Sequence, residues 1–256
     1  MSDWNPAGYL KFARERSQPA IDLVMRIIHD NPESILDIGC GPGNSTGILY
    51  DRWRNARITG LDSSQAMLAK AKKSNDSIKW ILGDAGQDLS HLGKFDVIFS
   101  NAAFQWIPRN ESLINRLFQM LNPGGVLAVQ VPYMEKMPIH TIIEEVAHRD
   151  NWAGFFASMS TPYKMNPPNF YYDVLESLTP EISLWETRYF QIMNSHDDLV
   201  QWCRSTALHP YLDCLDETQK KKFESDILAE IKIHYLPTKN GKVLFPFDRI
   251  FFIAYR

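Results

Sequence analysis

The stretch Ile35-Leu36-Asp37-Ile38-Gly39-Cys40-Gly41-Pro42-Gly43-Asn44-Ser45 decides the fold. Ile35–Ile38 is an apolar run of strand length, three glycines follow at alternate positions, and Ser45–Trp53 carries apolar residues at helical spacing. Strand, glycine-rich turn and helix in that order is how α/β proteins place a nucleotide-like ligand at the carboxyl ends of their strands. Small residues let the backbone come close to the ligand, and the start of the helix offers N–H groups without intrahelical partners. An ordinary tight turn reads the same way in isolation, so the neighbouring residues must decide.

Working outward, Ile58–Leu61, Ile78–Leu82, Phe95–Phe99 and Val126–Val131 are further strand-length runs. Ser64–Lys73 and Glu111–Leu121 lie between them with helical periodicity. Ser63 and Ser64 stand where an N-cap belongs, and Asn122-Pro123-Gly124-Gly125 predicts a helix stop and turn. This alternation predicts βαβ units in a parallel, Rossmann-like α/β sheet. From Tyr133 the rhythm breaks: residues 133–181 are rich in proline and aromatics, without a clear strand. Ile182–Met193 predicts an exposed or edge strand, and Asp197–Tyr235 two helices separated near His209-Pro210. Val243–Tyr255 reads as a final strand or hairpin arm after a turn at Gly241. The expected organisation is one domain over residues 1–256. A sheet core spans 1–132, a helical and aromatic elaboration 133–240 lies on the substrate side, and 241–256 supplies the last strand.

Composition narrows the class. The chain has 256 residues, 45% hydrophobic and 22% charged, enough apolar surface for a full core. No apolar run approaches the roughly 20 residues that cross a bilayer, and the N-terminus has no signal-peptide pattern. A net charge of -3 argues against nucleic-acid binding by phosphate neutralisation. Cys40, Cys203 and Cys214 form no Cys-x-x-Cys pair, and the seven histidines show no ligand spacing, so neither a disulfide framework nor a metal is expected. The expectation is a cytoplasmic protein with no membrane, nucleic-acid or obligate protein partner.

Three acids sharpen the glycine loop. Asp62 ends the second strand, where a carboxylate accepts ribose hydroxyls. Asp37 precedes the first glycine, where it would repel a pyrophosphate but suits a ligand carrying an ammonium and a sulfonium. Asp84, in Leu82-Gly83-Asp84-Ala85, is placed to accept from an adenine amino group. The glycine pattern is Gly-x-Gly-x-Gly, with Asn44 where a dinucleotide fingerprint would carry its last glycine. Together these favour S-adenosyl-L-methionine over a nicotinamide dinucleotide.

With these residues and Leu121-Asn122-Pro123-Gly124-Gly125, the sequence resembles the class I S-adenosylmethionine-dependent methyltransferases. More narrowly it is similar to the trans-aconitate 2-methyltransferase family. That likeness is carried by Ser2-Asp3-Trp4-Asn5-Pro6, Asn101-Ala102-Ala103-Phe104-Gln105-Trp106, Trp185-Glu186-Thr187-Arg188-Tyr189, Trp202 and Phe245-Pro246-Phe247-Asp248-Arg249. The resemblance implies esterification of a carboxylate of trans-aconitate to its monomethyl ester. It implies cofactor contacts from Tyr9, Asp37, Gly39, Cys40, Gly41 and Asn44, then from Asp62, Ser63, Met67, Asp84 and Ala85, and finally from Asn101, Ala102 and Trp106. His209 and Gln18 stand where this family leads one to expect basic residues. Methyl transfer to another small carboxylic acid or to a malonyl-carrier protein, and cofactor binding without catalysis, remain open alternatives.

A carboxylate is ionised at neutral pH and needs no general base. The reaction then asks for collinear positioning of oxygen, methyl carbon and sulfur, with water excluded. Asn101 and Trp106 are the expected positioning residues, and no side chain is expected to act as acid, base or nucleophile. A trianion needs cationic donors, and the planar arginine fork suits carboxylates. The candidates are Arg188 first, then Arg16, Arg204 and Arg249, with Tyr133, Tyr189 and His209 as further donors; Arg14, His140, Tyr171 and Tyr172 are weaker. Asn166-Pro167-Pro168-Asn169 imitates an amino-methylating signature but reads as a polar turn, and Lys220–Lys222 as a solvated helix face. Trp4, Tyr9 and Phe12 predict a lid over the cofactor.

Overall fold

The computed structural model describes residues 13–159, 166–204 and 206–256. The lid residues Trp4, Tyr9 and Phe12 lie outside these, as do the side chains of Arg14 and Arg16.

Among the described residues the strands are β1 (Ser34–Ile38), β2 (Arg57–Asp62), β3 (Lys79–Leu82), β4 (Phe95–Asn101), β5 (Leu121–Pro132), β6 (Ile182–Met193) and β7 (Val243–Tyr255). They form one sheet in the order β3-β2-β1-β4-β5-β7-β6. Pairing is parallel from β3 through β5, and β7 runs antiparallel to β5. Strand order reverses between β1 and β4, which opens a crevice at their carboxyl ends. The central strands read as almost unbroken apolar runs because both of their faces are covered. Ile35, Leu36, Val97, Ile98, Phe99, Leu127, Ala128 and Val129 are all fully buried.

The helices are α1 (Ala13–Arg26), α2 (Asn44–Arg52), α3 (Gln65–Ala71), α4 (Asn110–Gln119), α5 (Pro138–Ala147), α6 (Asp150–Phe156), α7 (Pro168–Glu176), α8 (His196–Arg204), α9 (His209–Leu212) and α10 (Glu217–His234). Ser64 caps α3, accepting from Met67 N at 3.2 Å. Asp216 and Gln219 form a reciprocal capping box on α10.

Asp96, at the amino-terminal edge of the sheet, binds three strands together. It accepts from the backbone N–H groups of Glu33 and Ser34 (2.8 and 3.0 Å), from the Ser34 hydroxyl (3.1 Å) and from Asn122 Nδ2 (2.7 Å). Burial pushes its pKa up, but these bonds outweigh burial and hold it below the usual carboxylate range.

The chain divides into two compact units. The first holds the strands up to Pro132, the segment ending at Thr187, and Arg249–Arg256; the second holds the segment beginning at Tyr133 and Arg188–Asp248. Within the second, Trp152, Phe156, Tyr211 and Phe223 pack ring to ring, with neighbouring centroids 5.1–5.9 Å apart across Trp152–Phe223, Phe156–Tyr211 and Tyr211–Phe223.

Three expectations need correction. Helix α4 stops at Gln119, before the proline and glycines, but Asn122–Gly125 is the irregular opening of β5 rather than a separate turn. The register slip between Phe95 and Val97 takes up the extra residues, with Gly124 at φ 77°. The described residues of 197–235 hold three helices, since the short α9 stands between α8 and α10 with Pro210 in its first turn. Asn166–Asn169 is no polar turn: Asn166 is buried and Pro167-Pro168 begins α7.

Candidate active site

All the geometry of this site belongs to the first unit. Gly39, Cys40, Gly41, Pro42, Asn44 and Ser45 line a pocket together with Ser17 and Ala20 of α1 and Asn101 of β4. The turn is tightly specified. Gly39 has φ +70°, and a Cβ there would sit 2.3 Å from Ala103 Cβ. Gly41 has φ +55°, and a Cβ there would meet nothing within 4 Å, so its bare edge faces open space. The second acid supports this loop directly: Asp62 Oδ2 accepts from Gly41 N and Oδ1 from Ser64 N, both at 2.8 Å. A carboxylate offers about four lone-pair sites, so both oxygens can also accept from a ligand.

Asp37 is completely buried at the end of β1, and its Oδ2 accepts from Ser45 Oγ (2.8 Å) and Thr46 Oγ1 (2.6 Å). Its Oδ1 is buried with no hydrogen-bond partner among the described residues. Burial raises this carboxyl to about 7; the Thr46 and Ser45 hydroxyls pull it down, and Asp62 pushes it up. Asn101 Oδ1 is a second buried acceptor with no partner among the described residues. Two vacant acceptors beside an open glycine edge fit a cationic ligand, as the ammonium and sulfonium of S-adenosylmethionine require.

The other described candidates follow the carboxyl ends of β2, β3 and β4. Ser63 is exposed after β2, and Met67 is buried in the first turn of α3. Asp84 is exposed, with Oδ1 accepting from Gly86 N at 2.8 Å, and Ala85 is buried beside it. Ala102 has φ 56°, an uncommon conformation for a residue with a Cβ, and its N–H donates to Gln130 O at 2.9 Å. Trp106 is half-buried in the turn that follows. Asn110 stabilises that turn by donating to the carbonyls of Phe104 (3.0 Å) and Ile107 (2.7 Å), while its Oδ1 accepts from Asn166 at 3.0 Å. Tyr9 and Arg16 have no described side chains.

The proposed anion-binding residues are divided. In the first unit, Arg249 is buried and its Nη1 donates to Gln130 Oε1 at 3.1 Å. In the second, Arg188 forks onto Asp248 through Nε (2.8 Å) and Nη2 (3.0 Å), and Arg204 pairs with Glu224 at 2.8 Å. His209 lies 3.4 Å from Asp213, Tyr133 is buried with Lys136 over its ring, and Tyr189 is half-buried. Sequence reasoning missed Gln130, although one signal existed: it is the only polar residue in the run Val126–Val131. Among the described residues no group of His, Cys, Asp or Glu is arranged for a metal, and no helix is long and apolar enough to cross a membrane.

Strand order, glycine loop and acids define a class I S-adenosylmethionine-dependent methyltransferase. A methyltransferase-domain family matches residues 35–125. The YcgJ protein of Bacillus subtilis has the same fold, with TM-score 0.59 and 13% identity over 93% of this chain and 98% of that one. A phosphoethanolamine N-methyltransferase of Haemonchus contortus, solved with phosphomonomethylethanolamine and S-adenosylhomocysteine, gives TM-score 0.55 and 15% identity over 93% of this chain and 52% of that one. The trans-aconitate 2-methyltransferase of Escherichia coli O157:H7 (strain EC4115) is 38% identical over 256 residues, covering 100% of this chain and 99% of that relative. The chain belongs to the trans-aconitate 2-methyltransferase family.

Proposed function

We propose that this protein methylates a carboxylate of trans-aconitate, releasing the monomethyl ester, in the cytoplasm. The full-length identity to an enzyme of that name carries the reading. When bound, S-adenosylmethionine supplies an electrophilic methyl group on a sulfonium. The chain's own residues then have to hold and desolvate the two reactants. Asp37, Gly39, Cys40, Gly41 and Asn44 hold the methionine end, and Asp62 and Ser63 the ribose. Met67, Asp84 and Ala85 take the adenine; Tyr9, Ala102 and Trp106 close around the cofactor. Asn101 and Trp106 orient the acceptor, whose carboxylate is ionised without help. Arg16, Tyr133, Arg188, Tyr189, Arg204, His209 and Arg249 are the proposed substrate donors. Arg188, the first candidate, is forked onto Asp248, so a substrate carboxylate would have to compete with that pair. The test is methyl transfer from labelled cofactor to a panel of dicarboxylates and tricarboxylates, with products identified by mass spectrometry. Trans-aconitate monomethyl ester as the main product is expected. Esterification of a malonyl-carrier protein instead, or turnover of none of the acids, would overturn the reading.

A further inference from the structure

We propose that Asn166 is a positioning residue for methyl transfer: through Asn110 it holds the turn that carries Trp106. The inference rests on the reading above that Trp106 orients the acceptor and closes on the cofactor; it does not depend on which acid is methylated.

The turn after β4 is strained at both ends. Among the described residues, Ala102 and Arg109 are the two non-glycine residues with positive φ, each at 56°, and they bracket this one segment. Neither alanine nor arginine favours the left-handed region, so such a conformation persists only where its surroundings impose it, and it gathers at functional positions. Part of the constraint is local: Gln105 Nε2 donates to Ala102 O at 2.8 Å, and Trp106 N to Ala103 O at 2.9 Å. The rest comes from outside the turn.

Asn110, the first residue of α4, reaches back over the segment. Its Nδ2 donates to the carbonyls of Phe104 and Ile107, which stand on either side of Gln105-Trp106. Those two acceptors fix which end of the amide is which, since a flipped amide would set its oxygen against both carbonyls. Oδ1 therefore faces the donors at the start of α7: Asn166 Nδ2 at 3.0 Å and the Tyr171 hydroxyl at 3.5 Å. Asn110, Asn166 and Tyr171 are all buried. Pro167, at φ -71°, and Pro168 follow Asn166 directly, and their rings give the donor a stiff base. In such a place an unmatched amide oxygen is costly, so Asn166 keeps the Asn110 amide aligned with both carbonyls. An apolar side chain could fill the same space; what the amide at 166 adds is the donor. Asn166-Pro167-Pro168-Asn169 thus serves the reaction at one remove, as the support of a turn.

The test uses the full-length protein with Asn166→Leu, Asn166→Ala, Asn110→Ala and the double variant Asn110→Ala with Asn166→Ala. Leu keeps the bulk of Asn166 without its donor, so a packing role predicts wild-type behaviour for Asn166→Leu and a loss for Asn166→Ala alone. The positioning role predicts that both lower kcat by at least about fivefold, with KM for the acid within about twofold. Calorimetry should show S-adenosylhomocysteine affinity reduced at least about threefold in both, because Trp106 also closes on the cofactor. In the Asn110→Ala background, Asn166→Ala should change kcat and this affinity by less than about twofold, since its route to the turn is already cut. An Asn166→Leu protein with wild-type kcat and cofactor affinity would overturn the proposal. So would a loss from Asn166→Ala that is as large in the Asn110→Ala background as in wild type. Should Asn166→Leu or an Asn110→Ala protein fail to fold, the remaining comparison decides. A wild-type protein that turns over no acid would defeat the carboxylate reading alone, and the calorimetric comparisons then judge Asn166.

Discussion

Asp37→Asn separates the electrical role of the first acid from its structural one. The carboxyl is raised by burial from 3.8 to about 7, so the folded protein holds this proton more tightly than the unfolded chain does. For such a group the folded state is favoured below the unfolded pKa, and that advantage is lost as pH rises through the folded value. Between about pH 5 and pH 8 the ionisation should remove roughly 2–3 kcal/mol of stability from the cofactor-free protein. The amide in Asp37→Asn still accepts the Ser45 and Thr46 hydroxyls but never ionises. It leaves one buried N–H unmatched, a cost of about 1–3 kcal/mol that does not depend on pH. Urea unfolding of both cofactor-free proteins at the two pH values is the assay. The variant should be level with or below wild type at pH 5 and should gain about 2–3 kcal/mol relative to it at pH 8. Its affinity for S-adenosylhomocysteine, whose ammonium would meet a donor instead of an acceptor, should fall. A stability difference that stays flat with pH would refute the reasoning, because the carboxyl would then titrate alike in both states.

Asp62→Ala removes the acceptor for Gly41 N and Ser64 N along with the proposed ribose contacts, and calorimetry should show cofactor affinity weakened at least about tenfold. Gly39→Ala would put a Cβ 2.3 Å from Ala103 Cβ at φ +70°; thermal unfolding should register a loss of about 2–4 kcal/mol, with cofactor binding impaired. Asn110→Ala leaves two carbonyls and the Asn166 amide without their partner, and chemical denaturation should show about 2–4 kcal/mol lost. Arg188→Ala strips nearly buried Asp248 of its fork, but the arginine is half in solvent, so roughly 1–2 kcal/mol of stability is expected. A hundredfold fall in turnover of Arg188→Ala at unchanged stability would instead put this arginine on the substrate.

The parallel strands were legible because each is a compact apolar run bounded by turn residues, and β6 and β7 were legible to the residue. The helices between Tyr133 and Glu181 were not, because Pro138 and Pro168 read as breaks when they in fact occupy first turns. Asn166 misled for a related reason: its polarity suggests solvent, yet it is spent inside on Asn110. At the candidate site, the glycine turn and the strand-end positions of Asp37 and Asp62 beside it could be read from spacing, since backbone close approach and strand ends are local matters. That Asp37 is closed off under two hydroxyls could not, nor could the pairing of Gln130 with Arg249. Those residues lie 119 positions apart, and only the antiparallel return of β7 brings them together.

Asp96 has a consequence for how this protein tolerates change. It joins β1, β4 and β5 at the edge where the strands begin, while the glycine loop and Asn101 stand where they end. The keystone of the scaffold and the candidate site thus occupy opposite rims. A library that varies the acceptor-side loops can be screened for new acids without loosening the joint that aligns the strands. Random changes at Asp96, Ser34 or Asn122 would empty the same library of soluble members before selectivity was ever sampled.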